Sequence, residues 1–390
     1  MNSPRAVLFR GKEKAIKNRH HWIFSGAVKS LPDHFDNGSL LPVESENGEF
    51  LGSAYFNTRC SIVGRMVSFD RTPPETAVER SIESALLLRR LFFDDQTTAF
   101  RLINAEGDSL PGLIVDQYGD VLVIQVTTLG MERLKPLVLE ILRNKLSPRA
   151  IYEKSILPSR REEGLQDFEG LLYGEPIETV PILENGLKFL VDIPRSQKTG
   201  FFLDQREMRR LVGRLANGRR VLNAFSYTGA FSVYARWGGA KRVDSVDTSE
   251  RAIELARQNL EINGLGTEKN HFFVEDVFEF LRREDLSYDF IILDPPAFAK
   301  KKSDVVQACR GYKDINRLAL QKILPGSLLL TFSCSFFVDE ILFQKVIFQA
   351  AQEASRRVRI LQRHHLAFDH PVNVFHPEGA YLKGLLLYVE

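Results

Sequence analysis

Short apolar runs and helix-like repeats alternate along the C-terminal half of the chain. Five apolar runs predict buried strands: RRVLNAF, RVDSVD, HFFVED, YDFIILDPP and LLLTFSC. The intervening segments predict helices, for example residues 232–237 and TSERAIELARQNLEINGL, for which Thr248 or Ser249 is a suitable N-cap. Strands that alternate with helices from about residue 186 to 390 predict a parallel sheet covered by helices.

The N-terminal half has a different pattern. Residues 1–75 contain short apolar runs between the turn signals PDHFDNGS, SENGEF and FNTRC, which predict a small β barrel. Residues 76–185 begin with the amphipathic segment ETAVERSIESALLLRRLFF. Two strands follow in SLPGLIVDQYGDVLVIQVTT, and a second helix in MERLKPLVLEILRNKL. We therefore predict an α/β chain of three domains: a barrel, a small α+β domain and a larger domain built on the parallel sheet.

Composition narrows the class of protein. Of 390 residues, 44% are apolar and 26% charged, as in ordinary soluble domains. We expect no transmembrane helix, because no run of 18 apolar residues occurs, and no signal peptide, because the N-terminus lacks an apolar region. The three cysteines, Cys60, Cys309 and Cys334, are far apart and lack metal-ligand spacing. We expect no metal site, and we expect the protein to be cytoplasmic.

The net charge is only +2, but basic residues are concentrated at the N-terminus. Residues 1–30 contain seven Lys or Arg and a single acid, with Trp22 among them. Such an excess suits a polyanion such as RNA, although charge alone favours the alternative of a solvated basic face.

Polar residues follow the predicted strands. Asp247, Asp276, Asp294 and Cys334 each lie where an apolar run stops, which is the edge where ligands bind in an open α/β sheet. The stretch NAFSYTG, residues 223–229, follows the first of these strands and predicts a turn with exposed N–H groups. We expect its glycine to allow close approach of a ligand.

This edge predicts an adenosine-containing ligand. Asp247 can accept both ribose hydroxyls and Asp276 the adenine amino group. The turn has one glycine and the bulky Phe225, Tyr227 and Phe231, which disfavours a pyrophosphate cofactor. S-adenosylmethionine, a sulfonium without phosphate, suits aromatic and acidic surroundings better. For Asp247 alone, a cap on the following helix is an equal alternative.

The motif Asp294-Pro295-Pro296-Ala297-Phe298 predicts a rigid acidic corner, because two prolines cannot continue a strand. Its carboxylate could bind the exocyclic amine of a base, on which Phe298 could stack. The alternative is a plain turn.

We expect the strands that end at Asp294 and Cys334 to be neighbours. A Cys334 thiolate could then add to carbon 6 of a pyrimidine and activate carbon 5 for methylation. The alternative for Cys334 is a small core residue.

Several segments carry a resemblance that spans nearly the whole chain. They are HHWIFSGAV, LPGLIVDQYGD, KTGFFLDQR, VLNAFSYTGAFSV, VDSVDTSERAIELARQNLEIN, LDPPAFAK, ACRGYKDIN, TFSCS and DHPVNVFHPEGAYLKG. In these the chain resembles the bacterial methyltransferases that modify carbon 5 of cytosine in 23S ribosomal RNA (rRNA) and carry an N-terminal PUA domain. The resemblance implies a PUA RNA-binding domain at 1–75, a central α+β domain at 76–185 and a class I (Rossmann-like) methyltransferase domain at 186–390. It also implies S-adenosylmethionine as cofactor and 5-methylcytosine as product.

The resemblance implies residue roles as well. Cys334 would be the nucleophile and Asp294 would orient the cytosine. The donor pocket would comprise Phe202, Asp204, Gln205, Asn223, Phe225, Ser226, Thr228, Gly229, Asp247, Asp276 and Asp294. RNA contacts would come from Lys14, Arg19, Trp22, Arg310, Tyr312 and Lys313, although Trp22 fits a core position better and a structural helix is an equal alternative for the last three.

Two departures from the family pattern and several open questions remain. AEGDSLPG differs from the usual run of the central domain, and Ala297 rather than a cysteine follows the two prolines. Cys309 fits a packed thiol. The substrate could be naked 23S rRNA or a large-subunit assembly intermediate, and the oligomeric state, including a homodimer, is left open.

Three other functions compete. An N-methyltransferase acting on an exocyclic amine of guanine or adenine would use the same acidic corner without a nucleophile. A nicotinamide-dependent oxidoreductase should have a glycine-rich phosphate turn, which is absent. A non-enzymatic RNA-binding factor would not need the set of acidic strand ends.

Overall fold

The computed structural model describes residues 4–266, 268–283 and 286–390, and these form two compact units. The first unit comprises Met1–Asn185, Val191–Leu203 and Phe368–Ala380, and the second comprises Gly186–Leu190, Asp204–Ala367 and Tyr381–Glu390. Residues 191–203 and 368–380, which the sequence placed in the third domain, thus belong to the first unit. Within that unit Asp369 binds Arg101 N through Oδ2 (2.8 Å) and Arg89 Nη2 through its carbonyl (2.9 Å). The three-domain division itself stays a prediction.

The N-terminal part of the first unit is a six-stranded sheet of order β2-β6-β5-β4-β1-β3 with a short helix, α1 (Lys14–Lys17). The strands are β1 (Ala6–Leu8), β2 (Trp22–Phe24), β3 (Val28–Ser30), β4 (Leu40–Ser45), β5 (Phe50–Phe56) and β6 (Ile62–Ser68). Its core contains Leu8, Ile23, Val43, Phe56 and Met66. The short strands predicted for this region are therefore present.

The rest of the first unit is built on a five-stranded sheet of order β11-β10-β9-β8-β7. Its strands are β7 (Ala99–Asn104), β8 (Leu113–Tyr118), β9 (Val121–Val126), β10 (Ala150–Ser155) and β11 (Phe168–Gly174). The accompanying helices are α2 (Pro74–Arg90), α3 (Leu129–Leu146) and α4 (Pro158–Glu162). Both long helices lie where the apolar periodicity predicted them. Farther along the chain, β12 (Thr179–Glu184) and β13 (Leu187–Asp192) form a two-stranded sheet.

A seven-stranded sheet of order β16-β15-β14-β17-β18-β20-β19 organises the second unit. The strands are β14 (Arg220–Ala224), β15 (Arg242–Asp247), β16 (Asn270–Val274), β17 (Tyr288–Leu293), β18 (Ile323–Ser333), β19 (Val358–Arg363) and β20 (Lys383–Val389). The helices are α5 (Arg206–Leu215), α6 (Ala230–Trp237), α7 (Glu250–Glu261), α8 (Val277–Arg282), α9 (Val305–Lys322) and α10 (Glu340–Glu353). The five strands from β16 to β18 are parallel, as predicted, and β20 and β19 complete the sheet in antiparallel fashion.

Both faces of this sheet are covered, because alternate residues of each central strand point to opposite sides. Ile291 and Leu293 pack into a core that also holds residues of α8, α9 and α10. Phe290 and Ile292 pack on the other face against α5 and α6. The order reverses between β14 and β17, so a topological switch point lies between them, which is where ligands bind in such sheets.

Over the described ranges, none of the helices combines the length and the apolar character that crossing a membrane requires.

Candidate active site

Four neighbouring parallel strands end at the switch-point edge of the seven-stranded sheet. Ala224 pairs with Val246 and Leu293, and Leu293 pairs with Thr331. These strands therefore lie side by side. Asp247 is the last residue of β15, and the turn after β14, Asp294 and Cys334 follow their strands directly. This confirms the prediction that the strands preceding Asp294 and Cys334 are neighbours.

The turn after β14 is held in an unusual backbone conformation. Phe225, Tyr227 and Gly229 all have positive φ (60°, 46° and 74°), which is uncommon for residues other than glycine. Ser226 N donates to Val246 O (2.9 Å) and fixes the turn to the next strand. A Cβ built on Gly229 would lie 2.6 Å from the Cβ of Ala256 on α7. What the structure shows at this glycine is therefore close packing against a helix, whereas the sequence suggested close approach of a ligand.

Several of the buried polar atoms for which the described residues offer no hydrogen-bond partner lie at the end of β14 and in the turn after it. They are Asn223 Oδ1, Ser226 Oγ and Thr228 Oγ1, and Gln205 Oε1 is a further one. A buried polar group without a partner costs about 1–3 kcal/mol, so such atoms mark places where a polar ligand can bind. The hydroxyl and amide groups present here fit the polar groups of S-adenosylmethionine.

Asp247 is bound on both carboxylate oxygens. Oδ2 accepts from Tyr227 N (2.9 Å) and Oδ1 from Ser249 N (3.0 Å). Ser249 is the N-cap of α7, as predicted, since its hydroxyl accepts from Ala252 N (3.2 Å). Each carboxylate oxygen has a further lone pair, so Asp247 can still accept ribose hydroxyls while it fixes the turn.

Asp276 lies farther from its strand than the sequence suggested. β16 ends at Val274, and Asp276 is exposed and caps α8 by accepting from Phe278 N (2.8 Å) and Glu279 N (3.1 Å). Its contact with an adenine amino group stays a prediction.

The FFLDQR segment divides between the two units. In the second unit, Gln205 Nε2 donates to Asp294 Oδ1 (3.1 Å), and the Tyr381 hydroxyl donates to Asp204 Oδ2 (2.5 Å). Phe202 belongs to the first unit, where the Lys198 ammonium lies 4.8 Å from its ring centroid. Gln205 thus joins the acidic corner, and the place of Phe202 in a donor pocket stays a prediction.

The acidic corner and the thiol lie together. Cys334 directly follows β18 and is partly exposed, with Sγ 3.8 Å from the carbonyl oxygen of Pro295. The flanking serines are buried. Ser335 Oγ accepts from Ala299 N (3.0 Å) and shares a hydrogen bond with the Tyr312 hydroxyl (2.8 Å). Ser335 therefore ties the loop after the two prolines to the end of β18, which fixes the thiol beside the corner.

The structure places the three predicted RNA contacts of α9 in different surroundings, and their roles in RNA binding stay predictions. Tyr312 is completely buried in the core beneath the corner, where burial raises the pKa of its hydroxyl and its ring packs 4.6 Å from that of Phe298. Arg310 is exposed, whereas Lys313 forms an ion pair with Glu353 (2.6 Å). Positions two apart on a helix point in different directions, so Arg310 and Tyr312 cannot share a surface.

The sequence analysis missed Lys383 at this site. Lys383 begins β20 and pairs with Ser333, and its ammonium donates to the carbonyls of Ser335 and Tyr381 (both 2.6 Å). Burial lowers the pKa of Lys383, while Cys334 and Asp339 oppose that shift. The sequence feature that could have indicated a role for Lys383 is its place in the segment DHPVNVFHPEGAYLKG. The local pattern of residues does not show that Lys383 lies near a thiol on another strand.

A second candidate site lies in the first unit. Lys14 and Arg19 are exposed, and Arg19 lines an open cavity of about 610 Å³. The lining residues are Ala15, Lys17, Asn18, Arg19, His20, Val374 and Phe375. Nothing in the sequence predicted that Val374 and Phe375 lie beside the basic N-terminal residues. Trp22 is half-buried and donates to Glu106 (2.8 Å), so its role in RNA binding stays a prediction.

Beside this cavity, His20, His376 and Glu378 place their ligand-type atoms within 4.8 Å of one another. The Trp22 backbone N–H donates to His20 Nδ1 (3.2 Å). In neutral His20 the proton is therefore on Nε2, which lies 3.4 Å from Glu378. A protonated nitrogen has no lone pair for a metal, so this cluster is a hydrogen-bonded group as it stands. The expectation of no metal site stays a prediction.

Comparison with known proteins agrees with this geometry. Residues 160–366 match the family model of S-adenosylmethionine-dependent methyltransferases, and residues 7–69 match a PUA-like domain. A solved methyltransferase complexed with SAH covers 99% of this chain and 100% of its own at 29% identity and a TM-score of 0.85. An S-adenosylmethionine-dependent methyltransferase from Streptococcus mutans gives 0.84 at the same identity and coverage. These matches confirm the predicted fold class and cofactor.

Curated relatives match over nearly their whole length. Ribosomal RNA large subunit methyltransferase I of Erwinia tasmaniensis is 43% identical over 387 residues, which covers 97% of this chain and 98% of the relative. The protein of the same name from Aeromonas salmonicida is 41% identical over 394 residues, with 97% and 98% covered. The chain therefore belongs to the ribosomal RNA large subunit methyltransferase I family, within the S-adenosylmethionine-dependent methyltransferases.

Proposed function

We propose that this enzyme methylates carbon 5 of a cytosine in the RNA of the large ribosomal subunit, with Cys334 as nucleophile. The names of its relatives support the substrate class. The observation that carries the mechanism is the partly exposed thiol of Cys334, which lies 3.8 Å from the Pro295 carbonyl at the acidic corner. A thiol in that position can reach a base held by Asp294.

The cofactor pocket lies on the β14 and β15 side of the edge. When bound, S-adenosylmethionine supplies an electrophilic methyl group on its sulfonium. The buried oxygens of Asn223, Ser226 and Thr228 would hold its polar groups, and Asp247 its ribose hydroxyls. Gln205 would orient Asp294 through the hydrogen bond between them.

The residues on the β17 and β18 side would act on the cytosine. Asp294 would accept a hydrogen bond from the exocyclic amine and hold the ring beside Cys334. The thiolate adds to carbon 6, and the electron pair of the 5,6 double bond makes carbon 5 nucleophilic. The methyl group passes to carbon 5 and the donor leaves as S-adenosylhomocysteine. A base then removes the proton from carbon 5, and the electron pair of that C–H bond restores the 5,6 double bond and expels the sulfur as the free thiolate.

The RNA must present an unstacked base, which costs a few kcal/mol. The exposed Arg310 follows the corner on α9, and the basic cavity of the first unit contains Lys17 and Arg19. We propose that these cations bind phosphates and position the RNA without reading its sequence. We further propose that the enzyme works in the cytoplasm. Its oligomeric state is not part of the proposal, and a homodimer is compatible with it.

The test compares Cys334→Ala with a matched thiol variant, Cys309→Ser. Ribosomal RNA lacking the modification serves as substrate, mass spectrometry of its nucleosides measures 5-methylcytidine, and calorimetry measures donor binding. We expect Cys334→Ala to abolish turnover and keep donor affinity, since Cys334 acts on the base. Cys309→Ser should leave both unchanged.

An RNA that carries 5-fluorocytosine separates the two candidate chemistries. Fluorine cannot leave as the proton does, so a covalent enzyme–RNA complex should accumulate and should need Cys334. Normal turnover of Cys334→Ala, with methylation of an exocyclic amine of guanine or adenine, would establish the alternative N-methyltransferase instead.

A further inference from the structure

Three cysteines occur in the chain, and their surroundings differ. Burial, together with Glu163, raises the pKa of Cys60 to about 11. Burial alone raises the pKa of Cys309. A thiol must lose its proton before it can attack carbon 6, so the site of Cys334 needs a source of stabilisation for the thiolate that the other two lack.

The Lys383 ammonium, at the start of β20, lies close to the end of β18. β18 and β20 are antiparallel, and Ser333 is paired with Lys383, so the lysine lies across from the residue that precedes Cys334. The Lys383 ammonium donates to the carbonyl of Ser335, the residue that follows Cys334, and to the carbonyl of Tyr381. Both donations measure 2.6 Å, so two carbonyls hold the ammonium close to the end of β18, and it is not mobile in solvent.

We propose that the Lys383 ammonium stabilises the Cys334 thiolate and so prepares the nucleophile, which makes Lys383 a positioning residue for the methylation. An ammonium has three N–H donors, and the two carbonyls use two of them, so one N–H of Lys383 can donate to the thiolate. This proposal rests on the proposed role of Cys334.

Of the other charged and titratable groups described near the thiol, two carboxylates oppose a thiolate and Tyr312 is neutral. Asp294 at the corner and Asp339, the N-cap of α10, are carboxylates, and a nearby negative charge disfavours a thiolate. Tyr312 stays neutral near pH 7, because burial raises the pKa of its hydroxyl. Lys383 therefore supplies the positive charge that offsets the two carboxylates.

The pairing of Cys334 with Lys383 limits the pH range in which Cys334 should be reactive. A cation beside the sulfur lowers the midpoint at which Cys334 loses its proton below the ~8.5 of a free thiol. Reactivity should therefore rise with pH through that lowered midpoint. The upper limit is set where Lys383 loses its own proton, and burial lowers the pKa of Lys383 from its ordinary value.

The test is alkylation of the full-length protein by iodoacetamide across pH, with mass spectrometry of the three cysteine peptides. Near pH 7 we expect Cys334 in the wild type to react at least tenfold faster than Cys309. In Lys383→Met the rate at Cys334 should fall about tenfold, which corresponds to a shift of about one pH unit. Lys383→Arg should largely keep the fast reaction, because the charge remains.

Two internal controls separate charge from folding. The rates at Cys60 and Cys309 should be the same in all variants, and donor binding should persist. Lys300→Met removes an exposed lysine near the same corner and should leave the rate at Cys334 unchanged, since solvent screens that charge. A wild-type Cys334 that reacts no faster than an ordinary thiol would overturn the proposal without any variant.

Turnover gives a second readout. In Lys383→Met, kcat should fall about tenfold at pH 7 and recover as the pH rises, while the KM for RNA stays unchanged. A loss of kcat that is independent of pH would indicate a merely structural role. If Cys334→Ala keeps full turnover, the proposed function fails, but the alkylation rates still decide whether Lys383 activates the sulfur.

Discussion

The two halves of the switch-point edge are built in different ways. On the β14 side, one continuous stretch, residues 223–229, carries the positive φ angles and the buried oxygens of the donor pocket. On the β18 side, Asp294, Cys334 and Lys383 come from separate strands and meet only in the folded protein. The donor pocket therefore depends on local backbone conformation, whereas the base pocket depends on strand pairing. Changes in the two halves should therefore affect different steps.

The largest expected effect is at the acidic corner. Asp294→Asn should lower turnover more than 100-fold, because the amide no longer provides a full carboxylate for the exocyclic amine. Donor affinity should change less than tenfold. Single-turnover kinetics and calorimetry measure the two quantities.

Asp304→Asn is the matched control, since Asp304 is a carboxylate at the start of α9 that accepts from Lys300 N and Lys301 N (both 3.3 Å); it should keep normal turnover. Equal losses of donor affinity and turnover in Asp294→Asn would assign Asp294 to the donor pocket. The conclusion that the two halves of the edge affect different steps would then be weaker.

The second effect is at the donor pocket. Asp247→Asn should weaken donor binding about 10- to 100-fold, because one oxygen that accepts from Tyr227 N or Ser249 N becomes a donor. Turnover at saturating donor and RNA affinity should change little. Calorimetry with the donor and steady-state kinetics provide the measurement.

The control for Asp247→Asn is Glu250→Gln, which removes an exposed carboxylate in the first turn of α7. Unchanged donor affinity in Asp247→Asn would mean that the donor binds elsewhere along the sheet edge.

The third effect concerns stability. Gly229→Ala should lower the free energy of unfolding by about 2–4 kcal/mol, because the new Cβ would lie 2.6 Å from the Cβ of Ala256 at a φ of 74°. Urea denaturation measures the loss.

Gly218→Ala provides the matched control for Gly229→Ala. Gly218 has a similar φ of 70°, but nothing lies within 4 Å of its added Cβ, so only the cost of the backbone conformation, about 1 kcal/mol, should remain. Ala256→Gly should restore part of the stability in the Gly229→Ala background. Equal losses at both glycines would show that packing against α7 is unimportant.

The smallest effect concerns the buried Tyr312. Tyr312→Phe should lower the free energy of unfolding by about 1 kcal/mol, since it removes the hydrogen bond to Ser335, and should leave RNA affinity unchanged. Arg310→Ala should weaken RNA binding and reduce its dependence on salt. Filter binding at several salt concentrations compares the two variants, and weaker RNA binding by Tyr312→Phe would show that Tyr312 contacts RNA.

Much of this site could be predicted because its reactive and ligand-binding side chains lie at or directly after the strand ends in the sequence. Apolar runs located the five parallel strands, and the residues after them, Asp247, Asp294 and Cys334, therefore lie at one edge of a sheet. Ser249 was recognisable as an N-cap, since its signal lies within one helical turn. The conformation of the turn after β14 was not recognisable, because Phe225 and Tyr227 adopt positive φ without being glycines.

Contacts between distant residues could not be predicted from the sequence. The helix that contains Tyr312 is predictable, but the face of that helix that packs on the sheet is not, and Tyr312 lies on that face. Position in the chain places residues 368–380 in the third predicted domain, whereas Asp369 binds Arg89 and Arg101 in the first unit.

The alternation of strands and helices, the acidic strand ends and the place of the thiol after an apolar run are predictable from the chain, since each depends on neighbours within a few residues. The position of Lys383, across from Ser333 and bound to the carbonyl of Ser335, is seen only in the folded protein. Antiparallel pairing of β18 with β20 sets this register between two strands that are far apart in the chain. A periodic pattern within one strand contains no information about its partner.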